Sequence, residues 1–168
     1  MTRPTSDRLR ETLFNILMPH IEASRFLDIC AGSGAVGIEA LSRGAGDVTF
    51  IDSSRDACAV IESNLETLGA GDRATILRRD ALAALVSLAQ GSSRYDIIFI
   101  DPPYASKIYA EVMNELSSGA LISPDGIVVV EHRAKSSLDS QYSNLHKFRE
   151  LKQGESALTF YRLATEQN

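Results

Sequence analysis

The run Ile97-Ile98-Phe99-Ile100 is apolar at every position, and Asp101-Pro102-Pro103-Tyr104 follows it without a break. A strand with no polar face suits a sheet covered on both sides, as in a parallel sheet wrapped by helices. Two prolines cannot extend that strand, because proline has no N–H to donate and restricts the residue before it. The chain must therefore stop and turn outward at the carboxyl edge of the sheet, the edge at which open α/β sheets bind ligands. It brings there a carboxylate (Asp101), stiff backbone carbonyls (Pro102, Pro103) and an aromatic ring (Tyr104). A stiff strand-end turn is the plain reading of Asp-Pro alone. The whole tetrapeptide after a buried strand matches a planar exocyclic amine, as on adenine, cytosine or guanine. Such an amine donates one N–H to Asp101 and one to the Pro102 carbonyl, which aims its lone pair at an electrophile, while Tyr104 stacks on the base.

Apolar spacing along the rest of the chain alternates between the strand and helix periods. Strands are predicted at residues 26–30, 48–52, 74–78, 95–100 and 127–131, and helices at 35–43, 55–68, 81–90 and 107–116. An earlier helix opens at Ser6 or Asp7, repeats Leu9, Leu13, Ile16 and Leu17, and ends at Pro19. Its other face, with Arg8, Arg10, Glu11 and Asn15, is either solvent surface or the rim of a substrate cleft. Ser123-Pro124-Asp125-Gly126 reads as a turn, and residues 145–151 and 157–163 read as a hairpin about Gln153-Gly154-Glu155. Five strands alternating with helices, then two antiparallel ones, give a doubly wound α/β sheet of seven strands with helices on both faces.

Gly32, Gly34 and Gly37 satisfy G-x-G-x-x-G after a strand, and Asp52 lies twenty residues beyond Gly32. That spacing alone suggests a nicotinamide dinucleotide site. Two features oppose it. Asp28, four residues before Gly32, is poorly placed beside a pyrophosphate and well placed for an ammonium group. Asp101-Pro102-Pro103-Tyr104 has no part in hydride transfer. S-adenosylmethionine carries an ammonium, a sulfonium and an adenosine, and so fits better. Gly32 and Gly34 then let the backbone approach the methionyl part, with Ala31 and Ser33 between and beside them. Asp28 orients the loop and the amino group. Asp52, with Ser53, accepts from the ribose hydroxyls. Asp80, with Ala81, either accepts from the adenine N6 amine or caps the helix that follows. Gly37 also suits simple helix–sheet packing.

Length and charge bound the remaining choices. A chain of 168 residues with 44% hydrophobic and 23% charged residues is expected to form one domain, residues 1–168. It shows no membrane-length apolar run and no signal-peptide pattern, so a cytoplasmic protein is expected. Cys30 and Cys58 lack metal-ligand spacing and read as reduced core residues, with no metal site expected. The net charge of −5 argues mildly against a protein that coats nucleic acid, without excluding local basic patches. Arg3, Arg8, Arg10, Arg78-Arg79, Lys107, Arg133 and Lys135 stand near predicted strand or chain ends.

With these residues in hand the chain resembles the class I S-adenosylmethionine-dependent methyltransferases, and more narrowly the RsmD family. The matching stretches are Arg3-Pro4-Thr5 with Arg8, Arg10-Glu11, Leu13-Phe14-Asn15, and Leu27-Asp28 with Ala31-Gly32-Ser33-Gly34. Gly37, residues 39–45, Asn64-Leu65 and Asp101-Pro102-Pro103-Tyr104 complete the set, in the family's order and nearly end to end. The resemblance implies a Rossmann-like fold whose N-terminal helix, residues 1–20, lies at the cleft rim. It also implies methyl transfer from S-adenosylmethionine to the N2 amine of guanine 966 in 16S ribosomal RNA, by a monomer acting on the small subunit. Arg3, Arg8, Lys107 and Arg133 are then the RNA-contact candidates. Members of that family carry a basic segment ahead of the Arg-Pro-Thr motif, whereas here the motif stands almost at residue 1. Two rival readings are an amino-methyltransferase acting on adenine or cytosine of DNA, which the absence of a target-recognition domain disfavours, and a non-catalytic RNA-binding assembly factor.

Overall fold

Ser6 opens the first helix by accepting the Leu9 N–H on its hydroxyl at 3.1 Å, and α1 runs over Asp7–Ile21. The computed structural model describes residues 6–103 and 108–164. Parallel strands and helices then alternate: β1 (Arg25–Ile29), α2 (Ala35–Ser42), β2 (Asp47–Ile51), α3 (Arg55–Leu68), β3 (Ala74–Leu77), α4 (Ala81–Ala89), β4 (Tyr95–Ile100), α5 (Ile108–Leu116) and β5 (Ile122–Arg133). The chain ends in β6 (Gln141–Tyr142), β7 (Leu145–Gln153) and β8 (Ser156–Leu163). The sheet order is β3-β2-β1-β4-β5-β8-β7-β6, with β1 to β5 mutually parallel and the last three strands antiparallel.

Strand periodicity divides the core in two. Phe26, Phe50, Ile97, Phe99, Val129 and Phe160 face α1, α2 and α3. Leu27, Ile51, Ile98, Ile100, Val130 and Tyr161 face α4 and α5. Because both faces are covered, the central strands carry no polar face, which is why the runs 97–100 and 127–130 are apolar throughout. Strand order reverses between β1 and β4, so the loops leaving those two strands diverge and open a crevice at the carboxyl edge. α1 runs from that edge toward the opposite one. Thr12 near its start lies 3.4 Å from Gln153 at the end of β7, while past its end the Ala23 N–H donates to the Gly44 carbonyl. Its first turn, with Arg8, therefore stands at the carboxyl edge of the sheet.

Three expectations need correction. Pro19 does not end α1, which continues through it to Ile21. Proline lacks an N–H and crowds the carbonyl four residues back, but it stands within the last turn here, and the buried Ile21 side chain holds that turn in the core. The segment 123–126 is not a free turn before β5 but an irregularity within it. Tyr95 pairs with Ile122 and Ile97 with Ile127, so four residues bulge opposite Asp96 alone. Gly126 is required there, since a Cβ would come within 2.6 Å of Ile122 Cγ2 and 2.9 Å of the Ser123 carbonyl. The sheet also has eight strands, not seven, because Gln141–Tyr142 pairs with Leu145 and His146. Two residues are too few to show a period. Other element ends agree to within one or two residues.

Candidate active site

Register across the parallel strands sets the site. Ile29 pairs with Ile100 and with Ile51, and Ile51 pairs with Leu77. The next residue on each strand therefore falls on one row along the carboxyl edge: Asp101 after β4, Cys30 after β1, Asp52 after β2, Arg78 after β3. Backbone bonds continue past the strand ends and hold the row. The Asp101 N–H donates to the Ile29 carbonyl at 3.3 Å, the Ala31 N–H to Ile51 at 2.9 Å and the Asp52 N–H to Leu77 at 3.2 Å.

The loop after β1 is built on left-handed backbone at Cys30 (φ 60°), Gly32 (59°) and Gly34 (78°). Asp52 ties it to the next loop, accepting the Gly32 N–H on Oδ2 at 2.8 Å and the Ser54 N–H on Oδ1 at 2.9 Å. Asn64 of α3 donates from Nδ2 to the Ser33 carbonyl at 3.3 Å. Asp28, only 1% exposed, accepts the N–H of Gly37 in the first turn of α2 at 3.1 Å. Burial pushes its carboxyl up to about 8, the Gly37 bond opposes that, and Asp52 adds to it. The Cys30 thiol shows how close the acids stand. Burial, then Asp52, Asp101, Asp28 and Asp80, push it up to about 12, so it is no nucleophile at neutral pH. With Asp52, Asp101 and Asp80 close to the Cys30 thiol and glycine backbone beside them, this edge is complementary to a cationic ligand.

The glycines of this loop have different reasons to be glycine. At Gly32 a Cβ would meet nothing within 4 Å, so the space beside it is open. At Gly34 a Cβ would meet Ile61 Cγ1 at 2.9 Å and Phe50 Cε1 at 3.3 Å. Its small size thus answers to α3 and β2, a packing reason that the sequence did not announce. Gly37 is a packing glycine, its Cα facing the Phe50 ring and Val48 Cγ1. Asp80 is the N-cap of α4, accepting the Ala83 N–H at 3.1 Å. Ala31, Ser33, Ser53 and Ala81 lie on the loops and first turns of this edge, with Ser33 and Ser53 exposed and Ala81 buried.

Pro102 is buried and Pro103 exposed, directly after the row. Tyr104, Lys107 and Arg3 lie outside the described residues. Arg8 is exposed in the first turn of α1, and Arg133 is exposed as the last residue of β5, which ends at the same edge. Three features were not foreseen from the sequence. Cys30 adopts a left-handed backbone that nothing about a cysteine announces. Asn64 joins α3 to the first loop. Glu39 of α2 binds Arg10 at 3.2 Å and Arg43 at 3.0 Å, with the Arg43 guanidinium stacked over Phe14 at 5.2 Å, clamping α1 to α2. Among the described residues, no three His, Cys, Asp or Glu side chains come together to hold a metal, and no helix is long and apolar enough to cross a membrane.

The family model described as conserved hypothetical protein 95 matches residues 1–162. Ribosomal RNA small subunit methyltransferase D of Escherichia coli (strain K12) is 37% identical over 160 residues, 95% of this chain and 79% of that protein. YlbH of Bacillus subtilis (strain 168), described as a candidate rRNA methyltransferase, is 34% identical over 161 residues, 96% of this chain and 88% of its own length. The solved structure of yhhF from Escherichia coli, described as a candidate methyltransferase, matches with a TM-score of 0.86 at 36% identity. That match covers 98% of this chain and 89% of that one. Strand order, antiparallel tail and glycine loop together define a class I methyltransferase. Within that class the chain belongs to the RsmD family of ribosomal RNA methyltransferases.

Proposed function

We propose that this protein methylates the N2 amine of one guanine in small-subunit ribosomal RNA, guanine 966 of 16S RNA by family resemblance, using S-adenosylmethionine. The observation that carries the reading is the placement of Asp101 and the glycine loop on either side of the β1/β4 crevice, one rung apart. The carboxylates of Asp52, Asp101 and Asp80 and the open space beside Gly32 suit S-adenosylmethionine, which when bound supplies the electrophilic methyl on its sulfonium. Asp52 and Ser53 hold the ribose, and Asp28 fixes the loop through Gly37 and orients the amino group, directly or through water. Asp80, already satisfying one N–H of α4, accepts from adenine N6 beside Ala81. Ala31 and Ser33 complete the backbone wall.

Asp101 and the Pro102 carbonyl each accept one N–H of the guanine amine, and Pro103 keeps that turn rigid. Tyr104 stacks on a base swung out of its surroundings. The protein supplies alignment and electrostatics, which suffice for an intrinsically reactive donor. Arg3, Arg8, Lys107 and Arg133 contact RNA phosphates. The chain acts as a single domain and a monomer, in the cytoplasm, on an assembling or assembled small subunit, with α1 at the cleft rim. The test is labelled methyl transfer to small subunits lacking the modification, to naked 16S RNA and to DNA, followed by nucleoside analysis. N2-methylguanine in RNA is the expected product. Asp101→Ala is expected to abolish transfer while S-adenosylhomocysteine still binds; a variant of normal rate would refute the role of Asp101.

A further inference from the structure

The cations of this acidic protein are not distributed evenly between the two edges of the sheet. At the amino edge they are engaged: Arg25 with Asp47 at 3.3 Å, Arg43 with Glu39 at 3.0 Å, Arg73 with the Ala45 carbonyl at 2.8 Å and Arg94 with the Gly119 carbonyl at 2.6 Å. At the carboxyl edge, Arg55, Arg78 and Arg79 are exposed and make no ion pair or side-chain hydrogen bond among the described residues. Arg55 starts α3 and Arg78-Arg79 follow β3, so all three sit past the Asp52 end of the row of site residues. Guanidinium groups without such partners are open to an anion brought from outside, and their planar fork suits a phosphate.

A groove gives that anion a place. Between α3 and β3 lies a cavity of about 650 Å³ lined by Arg55, Arg78, Cys58, Ala59 and Ile76. It adjoins the cofactor site directly, since Cys58 Sγ donates to the Asp52 carbonyl at 3.5 Å. Glu62 and Glu66 also line it. They lie about 10 Å or more along α3 from Arg55, at 1.5 Å per residue, so the cationic end is the end at the crevice. Arginine side chains over an apolar floor of alanine and isoleucine suit a ribonucleotide, with its phosphate on the guanidinium groups and its base against the floor.

We propose that Arg55, Arg78 and Arg79 form a phosphate-binding rim that carries the substrate RNA past the adenosine end of the cleft, into the α3–β3 groove. The proposal rests on the RNA reading above. It places RNA along the whole carboxyl edge, not only on the Arg8 and Arg133 side. The rim acts on binding and takes no part in the chemistry.

The test compares the wild type with the triple variant Arg55→Gln, Arg78→Gln, Arg79→Gln, with the triple Arg→Lys variant, and with Arg149→Gln as an exposed control on β7. The readouts are affinity for a 16S RNA fragment across 50 to 200 mM salt and affinity for S-adenosylhomocysteine. Three lost phosphate contacts should flatten the log–log salt slope by about 2. The fall in affinity over that salt range should then shrink about fifteenfold relative to the wild type. The Lys variant and Arg149→Gln should keep the wild-type slope, and S-adenosylhomocysteine affinity should not change. An unchanged slope in the Gln variant overturns the rim while leaving the RNA reading intact. A loss of S-adenosylhomocysteine affinity also overturns it, by making these arginines adenosine contacts. No salt-dependent RNA binding by the wild type defeats the RNA reading itself, and the rim with it.

Discussion

Replacing Asp28 with asparagine should change how stability depends on pH, in a direction opposite to that of most carboxylates. Asp28 is 1% exposed and accepts the Gly37 N–H, a single bond that does not offset its burial, so its carboxyl is lifted from 3.8 to about 8. A folded value above the unfolded one means the native state binds the extra proton. The stabilisation is complete below pH 3.8 and is lost as pH rises through 8. His132 acts in the opposite sense at lower pH. Its ring is buried between Thr159 Oγ1 at 2.7 Å and the Arg133 carbonyl at 2.9 Å, and burial lowers its pKa. The clean window is therefore pH 6.5 to 8. Across it, at about 1.4 kcal/mol per pH unit and tapering near 8, the wild type should lose about 1.5 kcal/mol. In urea that is a fall in midpoint of roughly 0.5–1 M for an m-value of about 2 kcal/mol/M. An asparagine at this position cannot ionise, and its amide replaces the acid's donor and acceptor, so the Asp28→Asn curve should be flatter by that amount. Parallel curves for the two proteins between pH 6.5 and 8 would show that Asp28 is already ionised in the free protein. Its orienting of the amino group would then act from the carboxylate instead of the neutral acid.

The two loop glycines give a second contrast. Gly32→Ala should cost only about 1 kcal/mol, for left-handed backbone in open space, but should weaken S-adenosylhomocysteine binding severely by filling that space. Gly34→Ala should cost about 2–4 kcal/mol, since the same backbone cost adds to a Cβ 2.9 Å from Ile61 Cγ1. Urea melts and calorimetric titration of both variants check this, and equal stability losses would contradict it. Glu39→Ala should destabilise by about 1 kcal/mol, because it leaves Arg10 and Arg43 facing each other without their shared acid. The double variant Glu39→Ala, Arg10→Ala should recover part of that loss in a double-mutant cycle, and strict additivity would show that no α1–α2 clamp exists.

How far the sequence could be read follows from which physical signals are local. The strand ends were legible because a parallel sheet buried on both faces demands apolar runs, and its ligands gather where those runs stop. Asp101, Asp52 and Asp80 could thus be assigned to one edge from spacing alone, and register then puts Asp101 and Asp52 on a single row. What stayed hidden depends on contacts between distant segments. The left-handed backbone of Cys30 lies between the Ile29 carbonyl, which accepts from the Asp101 N–H, and the Ala31 N–H, which donates to Ile51, and no property of cysteine predicts it. The bulge at 123–126 has the residues of a turn and becomes part of β5 because Ile122 also pairs with Tyr95. Gly34 carries a glycine-rich-loop signature, yet its size answers to Ile61, which lies 27 residues further on. A glycine motif therefore marks where the loop is, while the reason for each glycine is decided by whatever the fold packs against it.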